Sequence, residues 1–128
     1  TFLWFASGCS VPKTAIYPFT DVAAFAFYFK AVLWAVEHGI TTGTSASTFS
    51  PDAPCTRAQC VTFLWRANGS KAASAAASFT DVASDAYYAP AVAWAAEQNV
   101  TGGVGNGLFS PDTTCTRAQN VSMLYRLR

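Results

Sequence analysis

Apolar positions fall at helical spacing in separate stretches of this chain, and the polar residues between them are of the kinds that start and stop helices. Val32, Ala35 and Val36 form a narrow stripe within a helix predicted over Phe29 to His38. Val92, Ala95 and Ala96 repeat that stripe in a helix beginning near Pro90, whose fixed φ and missing N–H suit the first turn. Gly39 and Asn99 follow as stops, since these residue types best tolerate a left-handed C-cap. A second kind of helix places Ala58, Val61, Leu64 and Trp65 on one face, and Ala118, Val121, Leu124 and Tyr125 on the matching face of its counterpart. Both faces are expected to be buried. Thr56 with Gln59, and Thr116 with Gln119, stand at the spacing of a reciprocal capping box ahead of these helices. The predicted class is therefore all-α, built from tandem helix-loop-helix units.

The units are copies of one another. Phe19-Thr20-Asp21-Val22-Ala23 recurs as Phe79-Thr80-Asp81-Val82-Ala83, and Phe49-Ser50-Pro51-Asp52 as Phe109-Ser110-Pro111-Asp112. Cys55-Thr56-Arg57-Ala58-Gln59 returns as Cys115-Thr116-Arg117-Ala118-Gln119 at the same offset, and more than half of the positions from Phe19 to Arg66 are identical in the second copy. Thr1-Phe2-Leu3-Trp4 matches Thr62-Phe63-Leu64-Trp65. Residues 1–10 are thus expected to be the last helix of a preceding unit, 19–69 one repeat, 70–78 an Ala/Ser linker with little to pack, and 79–128 a second repeat. The period exceeds the roughly 33 to 47 residues of common helical solenoids, which excludes ankyrin and tetratricopeptide arrays. Proline in the two Phe-Ser-Pro-Asp strings favours a tight turn there.

Composition narrows the function classes. At 128 residues and 52% hydrophobic, one compact core is the default expectation. Eight basic against seven acidic residues leave no field to hold a nucleic-acid backbone or draw the domain onto an anionic membrane. The apolar stretch from Ala23 to Val36 is short and interrupted by Lys30, so no membrane insertion is expected. With no start methionine and no basic leader around Thr1, the chain reads as a mature piece of something longer. Cys9, Cys55, Cys60 and Cys115 are expected to be free, buried thiols, because Cys55 and Cys115 hold one position in two copies where a small hydrophobe serves. One histidine, His38, and no Cys-x-x-Cys argue against zinc, and the lack of an Asp-x-Asn-x-Asp-Gly loop argues against calcium. No cofactor is expected. Nor is there a nucleophile with its base, or a paired acid and base, so the chain is not expected to be an enzyme.

Phe-x-Asp-Val, a helix ending in Gly39-Ile40 or Asn99-Val100, then Gly, Phe-Ser-Pro-Asp and Thr-Arg-Ala-Gln together resemble the S-layer homology repeat. The likeness covers both full units and the amino-terminal fragment. It implies helical repeats around a pseudo-threefold axis, with one repeat incomplete here, and grooves between repeats that bind secondary cell-wall polysaccharide, often pyruvylated. By that resemblance the chain anchors a secreted bacterial protein to the cell wall. A protein-interaction module, with self-association completing the missing repeat, is the alternative. Gln59 and Gln119 stand where the family more often has glutamate, which keeps the capping box and removes a negative charge.

Arg57 and Arg117 are the leading candidates for ligand contact. A cation in the first helical turn opposes the helix dipole, so a solvent-facing arginine there gains nothing structural, whereas arginine beside free N-terminal amides makes an anion site for a sugar carboxylate. The competing reading pairs Arg57 and Arg117 with Asp21, Asp52, Asp81 or Asp112, tying loop to helix. The resemblance favours binding. Gln59 and Gln119 adjoin the arginines, Trp34 and Trp94 could offer an indole face to a sugar, and Asp21 and Asp81 could take a sugar hydroxyl or cap a turn. Phe19, Phe49, Phe79 and Phe109 are expected as buried loop anchors. Thr44 and Ser45 differ from Val104 and Gly105, so the two units should not present equal grooves.

Overall fold

The computed structural model describes residues 2–9, 19–23, 25, 27–41, 43–50, 53–75 and 78–127, without the side chains of 2, 117, 118, 120, 121 and 127. Five helices follow in order: α1 (Phe2–Ala6), α2 (Phe29–Glu37), α3 (Arg57–Ala67), α4 (Ala89–Glu97) and α5 (Arg117–Leu127). Among the described residues there is no strand, only the isolated bridges Thr56–Thr114 and Gly105–Leu108. The all-α expectation is met. No described helix is long and apolar enough to cross a membrane. Pro51 and Asp52, and the side chains of Ala118 and Val121, lie outside the described residues.

The chain forms two compact units, residues 1–53 and 54–128, where a single core was expected. Helix α1 packs on α2, and α3 packs on α4. Each unit therefore joins the second-type helix of one copy to the first-type helix of the next. The physical reason is size: α2 and α4 are nine residues each, too short to persist without tertiary packing, and a second-type helix of the neighbouring copy packs against each.

In the first unit Phe19, Val22 and Val32 are buried together, with Tyr28, Phe29, Val36 and Phe49 packed around them. In the second, Phe109, Val61, Leu64, Val92 and Val100 are the largest fully buried side chains. Burial on the short helices is broader than a narrow stripe. Ala31 to Trp34 are all buried on α2, and Ala91 to Trp94 with Ala95 on α4. Such helices are enclosed on several faces. On α5 Met123 is buried, but Tyr125 is 63% exposed, against the expectation of a buried face there.

The helix ends follow from local chemistry. Thr56 Oγ1 accepts from the Gln59 amide at 3.1 Å, while Gln59 Oε1 accepts from the Thr56 amide at 2.9 Å. Thr116 and Gln119 do the same at 3.1 and 3.0 Å. At the other end, the Gly39 amide donates to the Val36 carbonyl and the Ile40 amide to the Ala35 carbonyl, with Asn99 and Val100 repeating the pattern onto Ala96 and Ala95. Gly39 and Asn99 have φ of +70° and +58°, the left-handed cap that their residue types permit. Ile40 and Val100, just beyond, are 2% and 0% exposed, so each stop also seats a core side chain.

The Ala/Ser segment is tied down more firmly than its composition suggests. Trp65 Nε1 donates to the Lys71 carbonyl at 2.8 Å, and Ser74 donates from both its amide and its hydroxyl to the Glu97 carboxylate. Those bonds from Ser74 hold the Glu97 carboxyl below its ordinary value. An open groove of about 460 Å³ lies between this segment and the start of α4, with Ala73, Ser74, Val82, Pro90 and Ala93 in its walls. Its described lining carries no charged residue.

Candidate functional site

Each repeat closes its long loop on one aspartate. Asp21 accepts from the Phe49 and Ser50 amides at 2.8 and 2.7 Å, and Asp81 accepts from the Phe109 and Ser110 amides at 2.8 and 2.7 Å. These bonds seat the Phe-Ser corner, in which Ser50 and Ser110 take φ of +60° and +58°. The aromatic pairs beneath it are Phe19 with Phe49 and Phe79 with Phe109, at centroid separations of 5.5 and 5.7 Å.

The Phe49 amide pulls the Asp21 carboxyl down, partial desolvation works the other way, and the Ser50 amide adds to the net lowering. For Asp81 desolvation is the largest influence and pushes upward, but the Phe109 and Ser110 amides and the more distant Arg57 guanidinium bring the net value below the ordinary carboxylate range. Depressed folded-state values mean that the stability these groups confer is present above the unfolded carboxylate pKa of about 4 and is lost as pH falls through the folded value. The thermal midpoint should therefore fall in acid below about pH 4, and the Asp21→Asn, Asp81→Asn double variant should show a shallower acid limb. An identical limb in the variant, followed by circular dichroism, would assign acid sensitivity to other groups.

Arg57 sits inside the second unit. Only 5% of it is exposed. Its Nε donates to the Phe109 carbonyl at 2.8 Å, and its guanidinium lies 4.7 Å from the centre of the Phe109 ring. The amides at the start of α3 are also engaged, Arg57 N with the Thr113 carbonyl at 2.9 Å and Ala58 N with the Pro111 carbonyl at 3.0 Å. At this copy, then, the arginine is not solvent-facing and the amides beside it are not free. The Phe-Ser-Pro-Asp loop of the following repeat supplies the carbonyls that complete the helix end. The matching side chain, Arg117, lies outside the described residues.

The remaining candidates are placed as follows. Trp34 and Trp94 are 6% and 4% exposed, so their faces belong to the interior, and the Trp34 ring lies tilted against the His38 ring at 5.1 Å. His38 Nδ1 meets the Trp34 carbonyl at 2.9 Å, a helix-end contact. Gln59 and Gln119 are occupied in their capping boxes. Phe19 and Phe109 are buried, while Phe49 and Phe79 are half-buried. The long loops differ between copies, as their residues suggested. Thr44 and Ser50 hydroxyls meet at 2.7 Å in the first, whereas Asn106 and Gly107, with φ of +55° and +72°, make a tight turn in the second.

Sequence reasoning missed a duplicated aromatic pair on the surface. Phe27 with Tyr28, and Tyr87 with Tyr88, each pack edge to face at 5.0 Å immediately before α2 and α4. Phe27 is 82% exposed and Tyr87 61%. Desolvation, then Tyr88 and Cys55, push the Tyr87 hydroxyl above its ordinary value, Arg66 pulls it down and Asp112 adds a smaller upward push. Tyr87 thus stands among groups from α3 of one copy and the loop of the next. The signal was available: two adjacent aromatics at one register in both copies, ahead of a helix that needs none.

No group of three or more His, Cys, Asp or Glu among the described residues could hold a metal ion. The arrangement leaves exposed aromatic faces beside the starts of α2 and α4.

The sequence profile described as the S-layer homology domain matches residues 18–59 and 78–119. An endoglucanase of Bacillus sp. (strain KSM-635) is 36% identical over 114 residues, covering 89% of this chain and 12% of that protein. A cell surface protein of Thermoanaerobacter kivui is 34% identical over 131 residues, covering 98% of this chain and 17% of its own length. An S-layer-related protein of Niallia circulans is 52% identical over 54 residues, 42% of this chain and 3% of that protein. The chain spans a small fraction of each of these longer relatives.

Proposed function

Because the chain belongs to the S-layer homology domain family, we propose that it is a non-catalytic module anchoring a longer bacterial surface protein to the cell wall by binding secondary cell-wall polysaccharide, with an acidic or pyruvylated sugar as the recognised unit. The observation that carries this reading is the family match on both repeats, in relatives whose shared part with this chain is only this module. An endoglucanase and a cell surface protein have the module in common, which fits a shared tether better than a shared reaction.

In this proposal the sugar ring lies on the exposed aromatic of each pair, Tyr87 in the second unit and Phe27 in the first, where C–H groups meet a π face. Arg117 is the cation assigned to the saccharide acid. Arg57 acts from the interior, holding the Phe109 carbonyl and the loop rim. Gln59 and Gln119 shape the helix ends, and Asp21 and Asp81 the loop corners. Repeats arranged about a pseudo-threefold axis, completed by a further repeat or a second copy, form part of the same proposal.

Purified pyruvylated cell-wall polymer should retain the protein, and Arg117→Ala combined with Tyr87→Ala should abolish retention while leaving the helical signal and its cooperative melting unchanged. Undiminished retention by that variant would reject the assigned contacts. A second reading, a protein-interaction or self-association module, draws on the exposure of Phe25 and Phe27, 93% and 82%. Sedimentation with washed cell-wall sacculi before and after polymer is stripped separates the two: loss of binding on stripping supports the glycan, and persistence supports a protein partner.

A further inference from the structure

Three of the four cysteines converge on the start of α3, a grouping that polysaccharide anchoring does not use. Cys60 is 5% exposed in the first turns of α3, and its thiol donates to the Cys55 sulfur at 3.4 Å. Cys115 arrives from the other copy: its amide donates to the Cys55 carbonyl at 2.8 Å, beside the antiparallel bridge between Thr56 and Thr114. Its thiol is close enough to act on Cys60 as well. No disulfide joins the described cysteines, with Cys55 and Cys115 half-buried, Cys60 buried and Cys9 exposed. The expectation of uniformly buried thiols therefore holds for Cys60 alone.

Position explains why these thiols meet. With Thr56 as the N-cap, Cys55 is the residue before the cap and Cys60 the fourth of the helix. Apolar residues at those two places pack together as a hydrophobic staple that sets the angle at which the chain enters the helix. In the second copy Asn120 replaces the Cys60 counterpart, so Cys115 lacks a matching staple partner within its own repeat. We propose that Cys55 and Cys60 form an intramolecular disulfide, a covalent form of this staple, by exchange with a small disulfide oxidant such as oxidised glutathione.

The chemistry balances in two steps. The Cys55 thiolate, reached from solvent because Cys55 is half-buried, attacks one sulfur of the oxidant, forming a mixed disulfide and releasing one thiolate. The Cys60 sulfur then attacks the Cys55 sulfur, the mixed bond breaks, and the second small thiolate leaves. The two protons from the cysteines go to the two released thiolates, so one oxidant is reduced as one protein disulfide forms. Cys55 is suited to attack first, since the Cys60 S–H stabilises its charge and the nearby N-terminus of α3 favours a thiolate. The proton on Cys60 is held mainly by its bond to Cys55 and by desolvation, and the first of these disappears once Cys55 is a neutral mixed disulfide.

The test is a tryptic map of the wild-type protein after treatment with oxidised glutathione and alkylation of remaining thiols. Lys13, Lys30, Arg57, Arg66, Lys71 and Arg117 place each cysteine on its own tryptic peptide, with cleavage after Arg57 separating Cys55 from Cys60. The expected result is one cross-linked pair holding the 31–57 and 58–66 peptides together, lost on reduction, with Cys9 and Cys115 alkylated. Cys60→Ala should instead stop at the glutathione adduct on Cys55, and Cys115→Ser should leave the cross-link unchanged. Full alkylation of Cys55 and Cys60 after oxidation, or a cross-link that runs to Cys9 or Cys115, would overturn the assignment.

Discussion

Gly103→Ala is expected to unfold much of the second unit. Gly103 has φ of +83°, a conformation costing an L-residue about 1–2 kcal/mol. A Cβ there would also stand 2.5 Å from the Leu108 carbonyl oxygen and 2.6 Å from the Phe79 ring. Neither neighbour can retreat easily. Leu108 carbonyl accepts from the Val104 amide at 2.9 Å, and Phe79 packs against the fully buried Phe109. Strain and overlap together should cost roughly 3–5 kcal/mol, beyond the 0.5–3 kcal/mol range of most single substitutions. Thermal melting followed by circular dichroism checks this. A midpoint within about 3 °C of wild type would show that the loop relaxes without loss. Gly43 occupies the same place in the first copy and faces Phe19 and the Thr48 carbonyl.

Arg57→Ala should be the next most damaging change. It leaves the buried Phe109 carbonyl without its 2.8 Å donor, removes the cation from the Phe109 face and opens space in a site where only 5% of the arginine reaches solvent. An unsatisfied buried polar group costs about 1–3 kcal/mol and a desolvated cation–π contact about 2 kcal/mol, overlapping contributions that suggest a total of roughly 3 kcal/mol. For a unit of this size the midpoint should drop by roughly 12–24 °C. Arg57→Lys should recover only part of the loss, since a point charge on a flexible stem cannot both stack on the ring and hold the carbonyl. A cooperative, wild-type melt for Arg57→Ala would show that the arginine is not a structural tie. Loss of polymer retention by Arg57→Ala alone would not discriminate contact from collapse, which is why Arg117 carries the binding test.

Arg57 shows where a single copy misleads. Read within its own repeat, Arg57 stands at an exposed helix start opposing a dipole, a position that makes sense only if a ligand comes. What satisfies it is Phe109, far along the chain in the next copy. No pattern inside one repeat records that partner. The same holds for the α3 amides, capped by Pro111 and Thr113, and for Cys115, which joins a pair belonging to the preceding repeat.

Residues alone settled whatever depends on a few neighbours: the duplication, the helical class, the capping boxes at Thr56 and Thr116, and the left-handed stops at Gly39 and Asn99. Those rest on backbone sterics and hydrogen bonds closing within about five positions. Tertiary structure decided which helix covers which. Short helices with apolar residues on several faces will pack against any matching surface, and the surface that wins belongs to the adjacent copy, so the compact units run out of phase with the repeats. That phase shift carries Arg57 into the core, gathers three thiols at one helix end and leaves Phe27 and Tyr87 facing water.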